Sequence, residues 1–148
     1  MTFLAVLICT QLFACNKNDG LTGSINDTIN TGSIKLKISI GSSVFRATVY
    51  NNSTVIAFKE KLPLTINMRE LNGNEKYFDL PDNLPASASN PGTIQTGDLM
   101  LYGSNTLVLF YKSFSTSYSY TTIARVDNPA GLAAALGSGT VIVKFESE

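Results

Sequence analysis

Near the start of this 148-residue chain, Ile34, Leu36, Ile38 and Ile40 alternate with Lys35, Lys37 and Ser39, and that period of two limits the fold more than any other feature. Alternation puts successive side chains on opposite faces of an extended backbone, so one face of this segment is built to be buried. Gly41-Ser42-Ser43 supplies turn chemistry, and Val44 to Tyr50 resumes the alternation with Phe45, Ala47 and Val49 on one face. The pair predicts a β-hairpin. Val141, Val143 and Phe145 repeat the pattern near the end of the chain. Leu64 to Met68, Glu75 to Leu80, Leu99 to Tyr102, Thr106 to Tyr111 and Tyr120 to Val126 read as further short strands. Thr106 to Tyr111 is apolar on both faces, which predicts a central position.

Two short helices break the series. Asn51-Asn52-Ser53 is a capping sequence ahead of Val55, Phe58 and Leu62 at helical spacing, and Pro63 ends that run. Asp127-Asn128-Pro129 predicts the start of a second helix, which Gly137 stops after Leu136. Between these elements, Pro81 to Gly92 carries three prolines, Pro81, Pro85 and Pro91, and is expected as a surface loop. About eight strands and two short helices predict a mainly β fold, a small closed or nearly closed β-barrel.

Composition narrows the chemistry. Eleven basic and eleven acidic side chains cancel, so no net field steers the chain toward nucleic acid. With no histidine, serine-histidine-aspartate catalysis and histidine-ligated zinc are excluded, and no metal or cofactor is expected. Both cysteines, Cys9 and Cys15, fall in the first fifteen residues, so the body of the chain has neither disulfide nor thiol nucleophile. Packing alone must hold it together.

The amino terminus reads as an address. Phe3 to Ala14 is an apolar run of signal-sequence length, too short for the ~20 residues of a spanning helix. Leu12-Phe13-Ala14-Cys15 resembles a bacterial lipobox, although Phe13 is bulky for its position and no Lys or Arg precedes the run. That resemblance implies a signal peptide over residues 1–14, with Cys15 lipidated and heading the mature chain. Residues 15–32, rich in Asn, Asp, Gly, Ser and Thr, read as a flexible tether ahead of a folded domain over residues 33–148. A coil of that length reaches about 25 Å. Lys17-Asn18-Asp19 loosely resembles the acidic export signal of surface lipoproteins. The expectation is an exported, lipid-anchored envelope protein, on the outer membrane in preference to the inner, with membrane contact through the lipid alone.

Gly97-Asp98-Leu99-Met100-Leu101-Tyr102-Gly103-Ser104-Asn105, the strand TLVLFY after it, and the Ser/Thr/Tyr run into Ile123 and Val126 together resemble the cyclophilin-like family of small bacterial β-barrels. The resemblance runs from about Gly32 to Glu146 and extends to the Leu-Pro pairs before this stretch and the helix after it. It implies a working cleft on the outer face of the barrel. In cyclophilins an arginine there polarises the X-Pro amide, while a glutamine, aromatic residues and a histidine hold the proline.

Rotation about that bond faces a barrier of ~20 kcal/mol, so the donor is indispensable. The segment resembling the arginine-bearing strand, Tyr77-Phe78-Asp79-Leu80-Pro81, has no basic residue. Thr106 to Leu109 stands where the glutamine and phenylalanines belong, and the histidine position falls near Tyr120. Arg46 and Arg125 remain as replacement donors, each otherwise a solvated strand residue. Arg125 poses a puzzle, because Ile123 at alternate spacing reads as buried. Asp98 is expected to cap a turn. Nothing near Ser113 to Thr122 supplies the base that a hydroxyl nucleophile requires.

The candidate groove is therefore Phe78, Tyr102, Phe110 and Tyr120, with Arg125 at its edge. The expected role is a binding or interaction module for a peptide, a protein segment or a small apolar ligand, without the usual isomerase residues. A rewired prolyl isomerase acting on exported proteins is the alternative.

Overall fold

Lys35–Ile40 forms strand β1 with Leu36, Ile38 and Ile40 buried, as the alternation requires, in a computed structural model that describes residues 35–148. Ile34, the apolar run, Cys15 and the tether lie outside the described residues. Ile40 pairs with Ser43, so Gly41-Ser42 is a two-residue hairpin loop into β2 (Ser43–Val49). Helix α1 (Ser53–Lys59) begins at Asn52, whose side-chain oxygen accepts the Val55 N–H at 2.9 Å. The remaining strands are β3 (Leu64–Leu71), β4 (Glu75–Asp79), β5 (Thr93–Ile94), β6 (Asp98–Tyr102), β7 (Thr106–Phe110), β8 (Phe114–Ser115), β9 (Thr121–Val126) and β10 (Val141–Ser147), with α2 (Leu132–Leu136) before the last.

Eight of these strands close into an antiparallel barrel in the order β1-β10-β3-β4-β7-β6-β9-β2. Closure leaves no unpaired sheet edge in the ring. The interior is filled by side chains, among them Ile38, Met68, Leu99, Leu101, Leu109 and Phe145, all essentially inaccessible. Both helices contribute to this core. Phe58 of α1 meets Phe145 edge to face at 6.0 Å, and Leu132 and Leu136 of α2 are buried.

Three features depart from expectation. The two-stranded β5-β8 ribbon, a sheet apart from the barrel, is not among the strands expected from the sequence. Helix α2 starts after Gly131, not at Pro129, because Asp127 is held by Lys35 Nζ at 2.9 Å and by the Thr48 hydroxyl at 2.6 Å. Asn128 instead takes the Ala130 N–H in a local turn. Finally, β9 is bulged. Leu99 pairs with Ala124 and Met100 with Thr122, leaving Ile123 extra. Ile123 and Ala124 both enter the core, and parity is reset so that Arg125 faces outward. The bulge resolves the conflict between a buried Ile123 and an exposed Arg125 on one strand.

Candidate functional site

The register of three neighbouring strands builds a patterned outer face. Glu75 of β4 lies opposite Phe110 of β7; Tyr77 opposite Val108, and Val108 opposite Met100 of β6; Asp79 opposite Thr106, and Thr106 opposite Tyr102. These rows point away from the core, since Lys76, Leu107, Leu109, Leu99 and Leu101 take the inward positions. On the apolar part of this face a second cluster forms from Ile94, Met100, Val108, Phe110 and Tyr120, with Tyr77 and Phe114 packed against it. β5, β8 and the chain from Ser115 to Tyr120 fold over it. That cover is why β7 is buried on both faces.

A pocket of about 420 Å³ remains between this cover and the strands. Its floor is Glu75, Tyr77, Val108 and Thr106; its walls are Tyr102, Phe114, Tyr118 and Tyr120, with Leu71, Asn72 and Asn74 of the β3-β4 turn at one end. Tyr102 meets Tyr118 at 6.1 Å and 88°, and Tyr120 at 5.6 Å and 51°; Tyr120 stands edge to face on Phe110 at 5.5 Å. Such contacts hold the rings in fixed orientations.

Charge at this site is acidic. Glu75 and Asp79 line the pocket and no Lys or Arg does. Asp79 accepts from Arg69 Nη2 at 2.7 Å and from the Thr106 hydroxyl at 2.8 Å. Arg69, outside the lining, lies 4.4 Å from the centre of the Tyr77 ring. Glu75 has no such partner among the described residues, and burial, then the charge of Glu70, pushes its carboxyl above the ordinary value. Tyr120 is pushed up by burial and then by Glu75.

Next to the pocket, on the inward side, Lys76 is wholly buried. Its Nζ donates to the Gly139 carbonyl at 2.6 Å and pairs with Glu70 at 2.6 Å. The Tyr111 hydroxyl donates to the same Glu70 carboxylate at 2.8 Å. Burial would raise Glu70, but the Lys76 and Tyr111 donors outweigh it and hold the carboxyl below the ordinary value. Tyr111 is correspondingly pushed up to about 12, by burial first and then by Glu70.

The five sequence-selected groove residues separate. Tyr102 and Tyr120 line the pocket, and Phe110 lies directly beneath Tyr120. Phe78 does not join them: it sits between the outward residues Tyr77 and Asp79 and packs against the barrel core. Arg125 is four residues away along β6 from Tyr102's end of the strand, about 13 Å at the usual strand rise. It pairs with the buried Asp98 at 2.6 Å and lines a separate hollow with Tyr50 and Asp127. Asp98 also caps the turn before β6, accepting the Gln95 N–H at 2.8 Å. Arg46 is exposed and paired with Glu148 at 2.8 Å.

Arg69 and Glu75 were not selected from the sequence. The odd-numbered parity of Tyr77 on β4 marks Glu75 and Asp79 as its face-mates, and that signal was available. Among the described residues, no group of three or more His, Cys, Asp or Glu converges to hold a metal.

A closed eight-stranded antiparallel barrel carrying its cleft on the outer face is a cyclophilin-like architecture. The chain matches the cyclophilin-like family over residues 38–146 and belongs to it. Among solved structures it is similar to the solution structure of a hypothetical protein from Archaeoglobus fulgidus, at a TM-score of 0.54 and 19% identity, covering 78% of this chain and 95% of that one. At that identity the likeness bears on the fold alone. A search of curated proteins returns no match.

Proposed function

We propose that the domain is a binding module whose outer-face pocket receives a side chain of a polypeptide or a small ligand, carried on an exported chain anchored to the bacterial envelope through a lipid on Cys15. The observation that carries this reading is the pocket itself: aromatic walls around about 420 Å³, with no cationic side chain in the lining. Sites of this size with apolar walls and a few polar groups are suited to small ligands or single side chains. An isomerase requires a donor aimed at the twisted amide, and both donors considered from the sequence are tied elsewhere, Arg46 to Glu148 and Arg125 to Asp98.

A rewired isomerase is the second reading, favoured by one observation. Arg69 stands over Tyr77 at the rim, although its guanidinium already serves Asp79. Assaying the purified protein on a panel of X-Pro peptides separates the two. The binding reading expects no acceleration in the wild type, with peptide binding weakened by Tyr120→Ala. Acceleration that Arg69→Ala abolishes and Arg125→Ala leaves intact would overturn it in favour of the isomerase.

A further inference from the structure

We propose that the pocket is a site for an organic ammonium group, received between the ring of Tyr120 and the carboxylate of Glu75, with Tyr102 and Tyr118 extending the aromatic wall beyond them. The inference rests on the binding reading above and names the chemistry of its ligand.

Three observations converge. Tyr102, Tyr118 and Tyr120 line one pocket, Tyr118 at 88° and Tyr120 at 51° to Tyr102, and the faces of aromatic rings carry the negative end of their quadrupole. The charged residues of the lining are both acidic. Asp79 is neutralised by Arg69, but Glu75, only 9% exposed, has no counter-charge among the described residues. A carboxylate without a donor, in a pocket with aromatic walls, is complementary to a group that is cationic, carries N–H or polarised C–H donors, and is otherwise apolar.

Other ligand classes fit less well. An anion would meet a carboxylate and three ring faces. A neutral apolar group would fill the volume while sealing Glu75 away from water unpaired, which is costly. A cation offsets that cost. The Tyr77 ring of the floor already meets a cation, the Arg69 guanidinium, 4.4 Å from its centre.

The ammonium group has two sources, a free amine or quaternary amine and the end of a lysine side chain in a polypeptide. Calorimetric titration of the purified full chain distinguishes them and tests the site. The probes are choline with its neutral isostere 3,3-dimethylbutanol, and the blocked tripeptide Ala-Lys-Ala with its norleucine counterpart. At least one cationic probe is expected to bind tenfold or more tighter than its neutral isostere. Glu75→Gln should erase that preference, Tyr118→Leu should weaken it, and Tyr50→Phe, remote from the pocket, should leave it unchanged.

Tyr118 is 62% exposed, so its replacement tests the cage without threatening the core. Preference for choline assigns a small amine, and preference for the lysine peptide assigns a polypeptide. Equal binding of charged and neutral isosteres would overturn the ammonium site while leaving a binding pocket. Absence of binding by any of the four probes, with X-Pro peptides still bound, would likewise overturn it alone. Failure of the peptide panel as well would remove both readings.

Discussion

At the scale of single residues, Glu75 decides what the pocket prefers. Its carboxylate faces Tyr120 from the cover, Tyr111 and Glu70 from the adjoining strand ends, and no cation among the described residues. Both tyrosines are pushed up and Glu70 is held low, so Glu75 is the carboxyl of this group that holds its proton more tightly than a free one. Its carboxyl is raised on folding, so the folded state binds that proton more tightly than the unfolded chain. Its contribution to stability is complete below the ordinary carboxyl range and is lost as pH rises through the raised value. Glu75→Gln should therefore stabilise the protein at pH 7.5 by about 1 kcal/mol, the scale of an uncompensated buried polar group. The difference should vanish near pH 3, as thermal unfolding at the two pH values will show. Affinity for an ammonium probe should run the other way, rising with pH across the same window.

At the scale of elements, the turn into β6 has the least tolerance. Gly97 has φ +93°, and a Cβ there would stand 2.9 Å from the Val126 Cβ. Its N–H donates to the Phe110 carbonyl at 2.8 Å and its own carbonyl accepts the Val126 N–H at 2.9 Å, so it joins β6, β7 and β9 at one point. Gly97→Ala should cost about 2–3 kcal/mol, combining left-handed strain with overpacking; a denaturant midpoint equal to wild type would refute this.

Element by element, the barrel was readable because each strand's alternation records which face is buried. What alternation does not record is an extra residue. The bulge at Ile123 reverses parity partway along β9, so no periodic reading places both Ile123 and Arg125 correctly. The start of α2 was misread for a related reason, since the capping side chain of Asp127 is claimed by Lys35 and Thr48, far away in sequence. At the site, Tyr102, Phe110 and Tyr120 were legible as aromatics within predicted strands. Phe78 was misplaced by one residue of strand parity. Glu75 was passed over because an acidic residue beginning a strand is ordinarily solvent-facing, and only the cover formed by β5, β8 and Ser115 to Tyr120 buries it.

At the scale of the whole molecule, the eight-stranded ring closes around a filled interior, and the long-range β1-β10 pairing brings the two ends of the described chain together. A chain lacking residues 1–32 should therefore unfold in one cooperative transition with a β-type circular dichroism spectrum; loss of cooperativity would mean that the leading segment belongs to the core. The proposed anchor is tested separately. Cys15→Ser should move the protein from the membrane fraction to the soluble fraction, and unchanged fractionation would defeat it.

The central claim is that ligand meets this protein on the outer face of the barrel, between β4, β7, β6 and the cover. The chain's six tyrosines report on it directly. Tyr77, Tyr102, Tyr118 and Tyr120 line the pocket, whereas Tyr50 and Tyr111 do not. Aromatic ¹³C–¹H spectra recorded while the ammonium probes and X-Pro peptides are added should show the four pocket tyrosines shifting together while Tyr50 stays fixed. Shifts centred on Tyr50 and its hollow beside Arg125, with the four pocket rings unmoved, would contradict the account.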